Sequence, residues 1–219
     1  MKRLLISLLT LVSALTATAQ IRDIGIFGSA GYNFFKQKSD DILLNFEFPS
    51  SVFKMGIFSS IKLDENGFLL VQPTLDWTKT SYIKEDIFLV GWQSYTQTYR
   101  NPLTYISLRA PIGLGSPDFK FFIGAGPYIS YLLPGNQKIT NENNPQENTT
   151  RRLLIGNNKT DDFKQTDIGI TLGGNINLGP VLFGGFMDLG LKNISPKENM
   201  VVKNKFYYIV LGICLFREK

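Results

Sequence analysis

The stretch TDIGITLGGNINLG, residues 166–179, sets Ile168, Ile170, Leu172, Ile176 and Leu178 on one parity and Asp167, Gly169, Thr171, Gly173, Asn175 and Asn177 on the other. Side chains that alternate with period two stand on opposite faces of an extended strand, so this segment has one apolar face and one face of small and polar groups.

The same sorting recurs along the chain. In 118–133, Phe121, Ile123, Ala125, Pro127, Ile129 and Tyr131 oppose Lys120, Gly124, Gly126, Tyr128 and Ser130. In 102–115, Ile106, Leu108, Ile112 and Leu114 oppose Tyr105, Ser107 and Arg109. In 67–82, Leu69, Val71, Leu75 and Trp77 oppose Gln72, Thr74, Asp76 and Thr78. Asp188 and Lys192 lie opposite Phe183, Met187 and Leu191 in 180–194, and Lys54 lies opposite Phe53, Met55 and Ile57 in 51–63. The pattern is weaker in 22–35, where Ile24 and Ile26 oppose Asp23 and Ser29. The segment 205–217 is apolar on both faces, with Tyr207, Ile209, Leu211, Ile213 and Leu215 expected outward. With 165–178 these make about eight strands, an even number.

A soluble sandwich alternates too, with its oily face inward. Its water-facing side is crowded with Lys, Glu and Thr, whereas the polar faces here are built from Gly, Asn, Ser and a few charges of both signs. Small and oppositely charged groups suit the enclosed lumen of a narrow barrel, which about eight strands leave just wide enough for side chains to fill. Asp23, Lys54, Asp76, Arg109, Lys120, Asp167, Asp188 and Lys192 are therefore expected to form a luminal polar network. Many segments exceed the ~5–6 residues usual for soluble strands and reach the ~9–11 that cross a bilayer when tilted. Tight turns at 64–67, 116–117 and 179–180 alternate with longer polar connections at 36–50, 83–101, 134–164 and 195–204, the organisation of an outer-membrane barrel. The connection 136–162 reads as a solvated, mobile loop. Tyr32, Phe34, Trp77, Tyr82, Tyr131 and Tyr207 fall near strand ends, where interface girdles belong.

The chain has 219 residues, enough for one domain. Residues 1–19 combine Lys2 and Arg3, an apolar run and the small pair Ala17 and Ala19, a secretory signal peptide cut before Gln20. Residues 20–219 then form the barrel domain. Removing the signal leaves 21 basic against 18 acidic residues, about +3, too mild to imply nucleic acid as a partner. Cys214 has no partner for a disulfide within the chain and reads as a packed side chain. Histidine is absent, which removes imidazole as catalytic base or zinc ligand. No catalytic, metal or cofactor-binding residues are expected.

Several motifs resemble the PorT-like outer-membrane beta-barrel domain proteins, small barrels of OmpX type. They are Pro73, Leu75 and Trp77; Tyr105-Ile106 with Pro111; Gly126-Pro127-Tyr128-Ile129-Ser130 with Leu132; Asp167, Gly169 and Gly173; Gly190-Leu191 with Asn193-Ile194; and Phe216. The family often carries an acidic residue where Thr74 stands and a basic one near Phe186, so that charge pair is replaced here by uncharged groups. Phe216 resembles the terminal aromatic read by the barrel assembly machinery, although Arg217, Glu218 and Lys219 follow it.

The resulting expectation is all-β: an eight-stranded antiparallel up-and-down transmembrane β-barrel in the outer membrane of a Gram-negative bacterium. Its expected partners are outer-membrane lipid, the barrel assembly machinery and other envelope or secretion proteins. The expected role is non-enzymatic, a scaffold whose long outer loops make contacts. The resemblance implies, as an alternative, an accessory of a protein-secretion apparatus. A lipid-modifying barrel enzyme and a soluble lipocalin-like binder are the remaining alternatives, and a diffusion porin is disfavoured because about eight strands enclose no open channel.

Overall fold

The computed structural model describes residues 20–39, 49–90, 93–116, 118, 120–141, 146, 148–198 and 200–217. The expected signal peptide, 1–19, lies outside them. Among the described residues twelve strands form one sheet: β1 (Gln20–Ser39), β2 (Pro49–Lys62), β3 (Leu69–Val71), β4 (Thr74–Val90), β5 (Gln93–Arg109), β6 (Ile112–Gly115), β7 (Phe121–Leu132), β8 (Asn136–Asn141), β9 (Thr149–Arg152), β10 (Thr166–Leu178), β11 (Val181–Gly190) and β12 (Met200–Arg217).

Eight staves close into a ring. Going round, β1 pairs with β2, β2 with β4, β4 with β5, β5 with β7, β7 with β10, β10 with β11, β11 with β12 and β12 with β1, all antiparallel. Two staves are each cut by a proline, which has no N–H to give a ladder. Pro73 separates β3 from β4, and Pro111 separates β5 from β6. Their carbonyls still accept, from Ser59 N at 3.0 Å and Gln72 N at 2.9 Å, so both staves remain joined to their neighbours. The expected eight strands are thus eight staves in ten segments, and β8 and β9 add a hairpin beyond the ring.

The short connections gather at one end with Gln20 and Arg217. Between β10 and β11 only Gly179 and Pro180 intervene, and Gly179 has φ 63°, the left-handed conformation that a two-residue hairpin loop asks of its first position. At the opposite, loop end the strands run past the ring. Within the segment 83–101, expected as a loop, residues 83–90 and 93–101 instead form the outer half of the β4–β5 hairpin, paired from Tyr82↔Asn101 to Val90↔Gln93. Where β7 leaves β5 near Tyr105↔Leu132, β8 takes over its edge at Arg100↔Lys138. Past the ring each of these strands is paired with its hairpin neighbour.

The faces are inverted relative to a soluble protein. Leu215 is 66 % exposed and Ile123 62 %, along with Ile57, Leu108, Phe183 and Ile209, while Lys54, Asp188 and Thr171 are fully buried. An apolar exterior of this extent marks a surface made for a non-aqueous neighbour. Tyr207, Ile209, Leu211, Ile213 and Leu215 point outward, and Phe206, Tyr208 and Val210 pack inside. Among the aromatics expected at interfaces, Tyr32, Tyr131 and Tyr207 are exposed. Tyr82 is not: it shares parity with Asp76, Thr78 and Thr80 and is buried with them. Luminal glycines make room for rings, as at Gly169, where a Cβ would overlap the cross-strand Tyr128 ring. Gly169 and Gly173, the latter against the Phe186 ring, therefore serve the filling of the barrel.

Candidate functional site

Asp188 on β11 is the hub of the luminal layer. Lys54 on β2 donates to its Oδ2 at 2.6 Å. Arg109 on β5 donates to the same oxygen through Nη2 at 2.8 Å and Nε at 3.0 Å, and Tyr208 on β12 donates to Oδ1 at 3.1 Å. Lys54 and Arg109 come from staves three places away on either side, so these bonds cross the lumen. The other end of the guanidinium pairs with Asp76 of β4, whose Oδ1 accepts from Thr78 at 2.7 Å.

Two cations and two carboxylates compensate each other out of water. Burying ions costs several kcal/mol each, offset only when geometry is good and further hydrogen bonds fill the remaining positions. The Tyr208 ring helps, lying 3.7 Å from Lys54 Nζ, with Phe206 at 4.7 Å on the same ammonium. Phe186 stacks on Tyr208 at 6.1 Å.

Hydrogen-bonded polar groups continue the layer along the axis. Toward the loops, Asp167 accepts from Tyr128 at 3.0 Å and Asn204 at 2.8 Å, and Ser107 and Ser130 share a hydrogen bond of 2.7 Å. Toward the turns, Asn175 donates to Gln72 at 2.7 Å. Beside Arg109, Thr171 and Asn175 lies a cavity of about 30 Å³, enough for a water or two and no more.

The sequence-derived residues divide as follows. Lys54, Asp76, Arg109 and Asp188 meet directly. Asp167 sits in the adjoining layer, Asp23 pairs separately with Arg217 at 2.8 Å near the turn end, and half-buried Lys192 donates to Thr166 at 2.5 Å near the loop end. Lys120 is a correction. It lies in the turn before β7, its side chain 78 % exposed and paired with Asp118 at 2.6 Å. Strand parity assigns no face to a residue that precedes its strand, and Ser116 Oγ, accepting Lys120 N at 2.7 Å, holds the turn there. Hydrogen bonds from Lys120 and then Ser116 hold the Asp118 carboxyl down at about 2. Sequence reasoning missed Tyr208, because 205–217 is apolar on both faces. Its alternation with Phe206 and Val210 was the available signal.

The loop end carries a second feature. Residues 153–163, expected to be solvated, fold back over the ring: Leu153 and Phe163 are buried with Phe35, Tyr82, Leu103 and Ile194. Arg151 donates to both oxygens of Asp162, at 3.0 and 2.7 Å, and Leu154 N adds a bond to Oδ2 at 2.9 Å. Two buried apolar anchors ten residues apart and one bidentate ion pair order a segment whose average composition is polar. Between this cap and the β4–β5 hairpin lies a cavity of about 250 Å³. Among the described residues no group of three or more Cys, Asp or Glu side chains could hold a metal ion.

The family model described as "Outer membrane protein beta-barrel domain" matches residues 18–195. None of the curated proteins matches the chain. Among solved structures, the chain is similar to Ail, the attachment invasion locus protein of Yersinia pestis, crystallised with the heparin analogue sucrose octasulfate. Identity is 11 %, with 87 % of this chain and 99 % of that chain covered and a TM-score of 0.40. It is also similar to Neisserial surface protein A, at 9 % identity, 86 % and 96 % coverage and a TM-score of 0.41.

Proposed function

The chain belongs to the outer membrane protein beta-barrel domain family, and from that premise we propose that it is a non-enzymatic integral barrel, a membrane-set scaffold whose capped loop end makes contacts outside the cell. The observation that carries this reading is the charge-compensated luminal layer. Asp188, the best-placed acid, already accepts from Lys54, Arg109 and Tyr208, which leaves it no free lone pair to act as a base. The chain-wide lack of histidine points the same way.

In this reading residues 1–19 direct export and are removed, the turns face the periplasm of a Gram-negative cell, and the barrel assembly machinery inserts the chain into outer-membrane lipid. Membrane fractionation with heated and unheated gel electrophoresis tests it. The protein is expected in the outer membrane with a mobility that changes on boiling, and recovery in the soluble fraction without a mobility change refutes it.

A second reading, an accessory of a secretion apparatus, draws on the PorT-like order of Pro73, Trp77, Gly126-Pro127-Tyr128 and Gly190-Leu191. Copurification of other envelope proteins after gentle detergent extraction is its expected outcome.

A further inference from the structure

Every seam of the ring but one joins staves that follow each other in the chain, so a connecting segment helps to keep each pair together. The exception is β1 against β12. It brings together residues as far apart as Asp23 and Arg217, 194 positions, and is held by non-covalent contacts alone.

The turn end of that seam is also where its ladders thin out. The β11–β12 pairing runs as far as Val181↔Ile213, and one further bond, from Cys214 N to Pro180 O at 2.8 Å, follows it. On the other side the β1–β12 register shifts between Ile24 and Gly25, which sets Leu215 out of step. A bulge of this kind interrupts the ladder and bends the strand. The pairs Ile24↔Phe216 and Asp23↔Arg217 lie beyond it, and among the described residues no β11 residue pairs with Phe216 or Arg217.

One side chain spans both sides of this stretch. Arg217 Nε donates to Asp23 Oδ1 of β1 at 2.8 Å, and Nη1 donates to Gly179 O, in the turn between β10 and β11, at 2.9 Å. A planar guanidinium carries its donors in a fixed fork, so it serves two acceptors at once where an ammonium is a single point. The Asp23 side chain is 1 % exposed and that of Arg217 32 %, so a buried acid is compensated by a cation that solvent can reach. Taking away one member of such a pair strands the other charge out of water. The Cys214 thiol, a weak donor 3.5 Å from the same Asp23 oxygen, is a poor substitute.

We propose that Arg217 is the clasp of the barrel, a positioning residue that pins the turn end of β12 to β1 on one side and to the β10–β11 turn on the other. It controls local opening of this one seam, whereas the layer around Asp188 holds the ring at mid-lumen.

Amide hydrogen exchange on the full chain, folded in detergent micelles and read by NMR, tests the clasp. Arg217→Gln is expected to speed exchange of the hydrogen-bonded amides in 23–26 and 213–217 by about tenfold or more, and to leave those of the β4–β5 seam, in 74–82 and 101–109, within about twofold. Arg217→Lys keeps the charge beside Asp23 without the fork that reaches Gly179, and is expected to fall between the two. Unchanged exchange in Arg217→Gln, acceleration spread evenly over all the seams, or an Arg217→Lys chain that behaves as the unaltered protein overturns the proposal. An Arg217→Gln chain with no heat-dependent gel shift has lost the whole ring, which overturns a local clasp as well. Absence of that shift in the unaltered protein would instead count against the barrel reading.

Discussion

Lys54–Asp188 and Lys120–Asp118 are the same ion pair in two places: each ammonium lies 2.6 Å from its carboxylate. The first is fully buried at mid-lumen, and the second has side chains 78 % and 53 % exposed at a turn. Distance therefore says little about what either contributes. In the lumen, water cannot replace a lost partner, and Arg109, Asp76 and Tyr208 are bonded into the same unit. At the turn, water and salt stand ready on every side.

The largest effect comes from breaking the buried pair on one side. Asp188→Ala leaves Lys54 without its acceptor and Arg109 with Asp76 alone, and is expected to destabilise the barrel by about 3–5 kcal/mol. Urea unfolding in micelles and the temperature of the gel-mobility shift both read this. Combining Lys54→Met with Asp188→Leu removes the pair as a unit and is expected to recover most of that loss, because an apolar replacement leaves no buried charge without a partner. Failure of the double variant to recover would mean that the layer acts through shape more than through charge compensation.

An intermediate effect comes from the turn end without touching any charge. Gly179→Ala places a Cβ in the left-handed conformation and is expected to cost roughly 1–2 kcal/mol in the same unfolding assay. The smallest effect is expected from Asp118→Asn. The Asp118 carboxyl is held below its unfolded value, so whatever stability it adds is present above the unfolded carboxylate range and disappears as pH falls toward about 2. Because the group is exposed, the unfolding midpoints of Asp118→Asn and the unaltered chain should coincide at neutral pH. NMR titration of the Asp118 carboxyl should give a midpoint near 2.

The sequence was informative wherever one side of a strand meets hydrocarbon. A charge on that side is costly, so parity alone assigned the outward rows and placed Lys54, Asp76, Arg109, Asp167 and Asp188 on the polar side. It was silent where that constraint lapses. The strands beyond the ring at 83–90 and 93–101 look like loop because the consecutive charges Lys84, Glu85 and Asp86 break the period-two pattern. The cap at 153–163 rests on two apolar anchors that composition averages away. Lys120 was misplaced because it precedes its strand.

From the chain alone came the inverted polarity and the choice of a closed barrel, since alternation is a local property of consecutive residues. Which charges meet was decided only by closure. Asp188 finds Lys54 134 residues away and Arg109 79 residues away because the ring brings staves three places apart to face each other across a narrow lumen. The register that aligns them depends on every pairing around the circle, and no single strand contains it.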